Sequence, residues 1–305
     1  MLYGDYSFAC VFETPARLPI YKGSALRGIF GRSLKKTVCA LRRQQCDTCL
    51  LNTTCLYAIV FETPASAKTS EAPHPFVLEP PPAQETDFAA GYTLNFSLLL
   101  FGSVNNSLPY FIYAVDKMGA IGIGARIDGR RGRFALVEVK AGRKTVYRAV
   151  DGRVKTPAPV ETLALSSEAG ASRTSRLHLT METPLRTKMQ NRLTADLPFH
   201  ALVRVMLRRV STLMAHYGAG EPPLDYKGMV KRAMDVKIVE NNLQWFDWRR
   251  YSFRQDNEML MGGITGSVVY EGELDEFLPL VRFCEKTHVG KQTTFGLGKI
   301  KATTV

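Results

Sequence analysis

Apolar positions in the second half of the chain fall into a readable order. Ser175 to Thr183 alternates with the period of a half-buried strand, and Pro198 to Tyr217 sets Leu202, Met206, Val210, Leu213 and Tyr217 on one helical stripe. Strand-like runs follow at Leu243 to Phe253 and Met259 to Tyr270, joined by Arg254 to Glu258. Gly272 to Glu285 then places Leu274, Phe277, Leu278 and Val281 on one helical face, and Thr293 to Lys301 predicts a short closing strand. The order is β-α-β-β-α-β, the ferredoxin-like unit.

The first half repeats this grammar. A strand over Tyr3 to Thr14 precedes a helix near Ser24 to Leu41, with Leu26, Phe30, Leu34, Val38 and Leu41 on one face. Tyr92 to Leu100 alternates as a strand, and a short helix near Leu108 to Lys117 and a basic hairpin over Arg133 to Arg148 close the unit. Glu62 to Asp87, rich in Pro, Ala and Ser, predicts a loop. The expected fold class is α+β: two tandem ferredoxin-like (RRM-like) domains over 1–155 and 173–305, with a Cys-rich insertion at about 39–60 in the first. The boundary falls in Asp151 to Ser172, where Pro157, Pro159 and Gly170 interrupt any period. Phe12-Glu13-Thr14-Pro15-Ala16-Arg17 echoes Met181-Glu182-Thr183-Pro184-Leu185-Arg186 at an offset of 169 residues, as a duplication would, although Phe61-Glu62-Thr63-Pro64-Ala65 is a third, unmatched copy. The same offset carries Gly290 to the neighbourhood of Gly122 and Gly124.

Charge narrows the partner. The chain holds 40 Lys plus Arg against 28 Asp plus Glu, a formal +12. Lys22 to Arg43 has seven basic residues and no acid, and Arg126 to Lys155 has ten against three, so the two segments carry +14 and the remainder −2. Such concentration favours a polyanion, above all nucleic acid, over an evenly solvated surface. Asp5 and Glu13 interrupt the start of the chain, so no signal peptide is read there and a cytoplasmic location is expected. The uncharged stretch Phe88 to Val115 is broken by Asn95, Gly102, Asn105, Asn106 and Pro109 and predicts no membrane span.

Two segments carry candidate chemistry. In His288-Val289-Gly290-Lys291-Gln292-Thr293-Thr294-Phe295-Gly296-Leu297-Gly298-Lys299, the glycines Gly290, Gly296 and Gly298 would let backbone N–H groups approach a phosphate, with Lys291, Thr293 and Thr294 as further donors. The spacing is not that of a Walker loop, and a tight turn before an edge strand is the alternative reading. On the run Trp245 to Gln255, alternation would set Arg250, Ser252 and Arg254 on one face and Tyr251 and Phe253 on the other, with Gln255 following, a mixture suited to stacking and phosphate contact.

The pieces Leu26-Arg27-Gly28-Ile29-Phe30-Gly31, Arg250 to Gln255, Gly262-Gly263-Ile264-Thr265-Gly266, His288 to Lys291 and Phe295 to Gly298 resemble the CRISPR repeat-processing endoribonucleases of the RAMP superfamily. The resemblance spans both halves in order. It implies two ferredoxin-like folds, binding of CRISPR repeat RNA, and metal-independent cleavage of the precursor by 2′-OH attack, leaving a 2′,3′-cyclic phosphate and a 5′-OH, with no cofactor for catalysis. Further CRISPR effector subunits are a second class of partner, and the alternative function is a non-catalytic RAMP subunit that holds guide RNA. A general single-strand RNA binder is a third reading.

Such scission needs a base for the 2′-OH, an acid for the leaving 5′-oxygen and cations for the phosphorane. Many relatives place a catalytic His on or near the first helix, yet this sequence has no His between Met1 and Pro73. His288, beside the glycine loop, is the candidate acid or base, with a loop-bonding role as the alternative. Tyr21 and Lys36, with Lys22 and Lys35, stand where a helix His is missing, and Lys22, Arg27, Arg32 and Lys35 are candidate RNA contacts. Cys39, Cys46, Cys49 and Cys55 put four thiols within 17 residues. That set suits a structural zinc, with loop thiols or an iron–sulfur cluster as the other readings. Cys10 and Cys284 read as core.

Overall fold

Alternate residues of β1 (Leu2–Phe12) point into a covered sheet face, burying Tyr6, Phe8, Cys10 and Phe12. In the computed structural model, which describes residues 1–62, 72–82, 84–155, 157–165, 174–187, 195–252 and 257–304, this strand founds the first of two units, Met1–Thr162 and Leu163–Val305. After β2 (Ala16–Arg17), α1 (Gly23–Val38) turns Leu26, Phe30 and Leu34 inward. Next come β3 (Phe76–Glu79), β4 (Asp87–Phe88), β5 (Thr93–Phe101) and α2 (Leu108–Ile121), which begins with Pro at its second position, where a missing N–H costs nothing. The unit ends with β6 (Ile123–Ile127), β7 (Arg130–Gly132), β8 (Phe134–Ala141), β9 (Lys144–Arg148), β10 (Arg153–Val154) and β11 (Glu161–Thr162).

Its main sheet runs β10-β9-β8-β1-β5-β3, with β11 paired to the start of β1. Within it, β1-α1-β3-β5-α2-β8 gives the β-α-β-β-α-β succession, with the last strand beside the first. Phe30, Phe61, Phe76 and Phe111 pack ring to ring in the core between the helices and the sheet. The loop expected over Glu62 to Asp87 is corrected by β3. Phe76, Val77 and Leu78 are all fully buried, so the strand shows no alternation, and prolines flank it on both sides.

The second unit runs β12 (Arg176–Leu185), α3 (Phe199–Tyr217), α4 (Tyr226–Arg232), β13 (Lys237–Asn241), β14 (Gln244–Ser252), β15 (Asn257–Glu271), α5 (Leu278–Thr287) and β16 (Ile300–Thr304). Its sheet order is β13-β15-β12-β16. Two expectations change here. The sheet position next to β15 belongs to β13, not to the expected Leu243 to Phe253 strand. That run, as β14, pairs with the first half of β15, from Gln244↔Thr265 to Ser252↔Asn257, while β12 pairing stops at Ile264. Among the described strands, Asn257 to Gly263 therefore pair with β14 alone, forming a two-stranded ribbon beyond the sheet. The closing strand is also shorter than expected: Thr293–Phe295 is a 3-10 turn, and β16 begins at Ile300. No helix among the described residues is long and apolar enough to cross a membrane.

Candidate nucleic-acid interface

The glycine loop of the second unit is held by buried polar groups at its entrance. Arg209, on α3, is buried and donates from Nε and Nη2 to the Thr287 carbonyl at 3.2 and 2.7 Å. A guanidinium thus meets the C-terminus of α5, where helix carbonyls lack intrahelical donors. Burial pushes Arg209 down to about 10, which leaves it cationic at neutral pH. His288 follows in the left-handed region (φ 60), fully buried, with Nδ1 3.0 Å from the Leu297 carbonyl.

From there the loop folds back on the end of β12. Val289 N donates to Gly298 O (2.9 Å), Lys291 N to Arg186 O (2.8 Å) and Gly298 N to Pro184 O (3.1 Å). Thr183 Oγ1 donates to Gly296 O (2.7 Å) and accepts from Lys299 N (2.8 Å). The glycines serve this close approach. A Cβ on Gly298 (φ 76) would sit 1.8 Å from Val289 O, and one on Gly290 (φ 91) 2.7 Å from Arg186 O.

The predicted site residues therefore separate. Thr293, Thr294, Gly296 and Gly298 are buried, Gly290 is half-buried and Lys291 is exposed, so the loop presents one clear cation while much of its polar backbone is turned inward. His288 does not face solvent in this arrangement, and its ring ties the two arms of the loop together. Arg250 and Ser252 lie in β14, opposite Met259 and Asn257. Arg254 and Gln255 lie outside the described residues. Upstream on β14, exposed Phe246 stacks on Trp248 with centroids 5.7 Å apart, and Trp245 Nε1 donates to Asp247 Oδ1 (2.7 Å).

In the first unit, α1 gathers the other candidates. Arg32 and Lys36 are exposed one turn apart, in line with exposed Gly28. Arg27 lies over the Phe61 ring at 5.1 Å and Lys35 over Tyr57 at 5.1 Å, so both stems are partly absorbed by packing. Lys22, expected as an RNA contact, is buried, with Nζ donating to Ile20 O (3.2 Å), and burial lowers its pKa. Tyr21 is half-buried, and burial followed by the Glu79 carboxylate raises its phenol well above the ordinary value, so it is a neutral O–H at physiological pH.

Cys39, Cys46, Cys49 and Cys55 are free, half-buried thiols. Among the described residues no three His, Cys, Asp or Glu side chains form a group that could hold a metal, so the geometry lends the four-thiolate zinc site suggested by spacing no support. Cys10 and Cys284 are fully buried, and burial pushes the Cys284 thiol up to about 12. Sequence reading missed Arg209, because one Arg on an amphipathic helix carries no signal. Thr183 was visible only as part of the echoed Glu-Thr-Pro motif.

Comparison with known proteins supplies the context. The AF_1859_N family model, described as an N-terminal domain, matches residues 1–159, and the model described as CRISPR-associated endoribonuclease Cas6 matches residues 179–300. The chain is 27% identical over 286 residues to an uncharacterized protein of Archaeoglobus fulgidus, covering 92% of this chain and 91% of that one. A Cas6 product complex superposes with a TM-score of 0.60 at 16% identity, over 99% of this chain and 100% of that chain. Thermus thermophilus Cas6 gives 0.57 at 16% identity, over 99% and 98%. A chain of a partial Cas6-RT-Cas1–Cas2 complex gives 0.61 at 12% identity, over 100% of this chain and 46% of that chain. The AF_1859_N model fills the first unit and more than half of the chain, so the chain belongs to the family that model describes, and its second unit, including the glycine loop, matches the Cas6 endoribonuclease domain.

Proposed function

We propose that this protein is an RNA-binding endoribonuclease that processes CRISPR precursor RNA, and that each unit is a ferredoxin-like domain, the first carrying the Cys-rich segment as an insertion. The observation that carries the reading is the Cas6 family match over residues 179–300, which contain the loop and the sheet that holds it. Concentration of +14 in two segments of the first unit supports a phosphodiester partner. Other CRISPR-associated subunits are proposed as protein partners, because one solved neighbour is a chain of a Cas6-RT-Cas1–Cas2 complex.

Cleavage proceeds by metal-independent attack of the 2′-OH on the adjacent phosphate, leaving a cyclic phosphate and a 5′-OH. Solvent water accepts the 2′-OH proton, Tyr21 supplies a proton to the leaving 5′-oxygen and is reprotonated from solvent, and Lys36, exposed on α1, stabilises the phosphorane. His288, being buried, shapes the loop. The test is incubation with cognate repeat RNA in EDTA, with product ends mapped. Cleavage by the wild type, slowed about a hundredfold or more by Tyr21→Phe with RNA affinity intact, is expected, the low end of what general acid catalysis contributes. Tight binding without any cleavage would favour the guide-holding RAMP subunit instead.

A further inference from the structure

The loop between the second helix and the last strand is built twice. In the first unit it is Gly122 to Arg133, in the second His288 to Lys299, twelve residues each. Both stand on the echoed Glu-Thr-Pro motif, with one pair of bonds in common. Arg133 N donates to Thr14 Oγ1 at 2.8 Å and Thr14 N to Arg133 O at 3.4 Å, while Lys299 N donates to Thr183 Oγ1 at 2.8 Å and Thr183 N to Lys299 O at 3.2 Å. Each loop also has a glycine with positive φ pressed on the carbonyl of the motif's Arg. A Cβ on Gly124 (φ 86) would lie 2.1 Å from Arg17 O, matching Gly290 against Arg186 O. The threonines keep the offset of 169 residues, whereas the glycines stand 166 apart, so three residues have been lost or gained between motif and loop.

What the two fixtures hold up is different. The second unit carries a buried 3-10 turn and one exposed Lys291. The first carries the β6–β7 hairpin, turning at Asp128 and Gly129 (φ 48 and 78), with Arg126 opposite Arg131 and Ile127 opposite Arg130. Arg126, Arg130 and Arg133 are exposed, Arg131 is half-buried and donates from Nη1 to Gly124 O, and Arg133 has Glu13 at 3.5 Å. Like charges directly opposite on two strands oppose pairing, so Arg126 facing Arg131 is explained by a ligand better than by folding. A further cation, Arg32 on α1, is near enough to depress Arg131 after burial and Arg126 have done so.

We propose that the Gly122 to Arg133 hairpin is a second phosphodiester-binding loop that grips the RNA backbone through Arg126, Arg130 and Arg131. The proposal rests on the RNA-binding reading and adds its principal backbone contact. Backbone contacts are independent of sequence and depend on salt, which gives the test.

Binding of a fluorescein-labelled repeat RNA and of a labelled poly(U) strand to the full chain is measured across salt concentrations for the wild type, Arg126→Ala/Arg130→Ala and Arg126→Lys/Arg130→Lys. Each cation lost should make the slope of log affinity on log salt shallower by about 0.7, hence about 1.4 for the double Ala variant on both RNAs. The Lys variant should keep the wild-type slope, and unchanged melting temperatures would show that both variants are folded. An unchanged slope in the Ala variant, or equal loss in the Lys variant, overturns the hairpin's role while leaving RNA binding in place. A wild type that binds neither RNA overturns both readings together.

Discussion

Arg209 illustrates how a single buried cation can set a loop. Its two bonds satisfy a helix-end carbonyl that would otherwise be buried without a donor, so Arg209→Met should cost about 2–3 kcal/mol in urea unfolding. The two threonine feet differ in bonding. Thr183 both donates and accepts through Oγ1, whereas Thr14 shows one side-chain bond to the loop, so Thr183→Val should destabilise more than Thr14→Val, by about 1 kcal/mol in the same assay. At this scale the sequence was only partly legible. His288 was visible as a candidate because it adjoins three glycines, but adjacency says nothing about which way a ring turns. The same limit hid the burial of Lys22.

At the element scale, the loop's glycines make a sharp expectation. Gly298→Ala adds left-handed strain and a Cβ within 1.8 Å of Val289 O, and should lower stability by about 1–3 kcal/mol, read as a shift of the urea midpoint, whereas Gly129→Ala meets open space and adds only the strain. The β8–β9 hairpin provides a pH dependence. Hydrogen bonds from Lys140, then Thr145 and Arg148, pull Glu138 down to about 2. A depressed carboxyl pKa stabilises the fold above the ordinary value near 4.5 and loses that contribution as pH falls toward 2. The stability gap between wild type and Glu138→Gln should therefore close between those values in acid titrations followed by circular dichroism. Periodicity revealed the long elements because β1, α1, β12 and α3 each bury one face. It failed for β3, covered on both faces, and for β13, a short and largely exposed strand that a Pro-rich approach and the short helix α4 separate from α3.

Across the whole chain, each unit has its own sheet and its own ring-packed or aliphatic core, so residues 1–162 expressed alone should melt cooperatively; a featureless melting curve would count against that independence. The order of elements and the uneven charge could be read from the residues. That one framework supports two unlike loops could be read only in outline, because the echoed motif lies far in sequence from the glycines it anchors and the spacing between them differs by three.

The ribbon formed by β14 and the first half of β15 contains both tryptophans of the chain, Trp245 and Trp248. Intrinsic tryptophan emission of this protein is therefore a local optical signal from one ribbon of the second unit. RNA that quenches it must touch or reshape the ribbon, and RNA that binds without quenching leaves it undisturbed, so one unlabelled titration reports whether the ribbon takes part in binding.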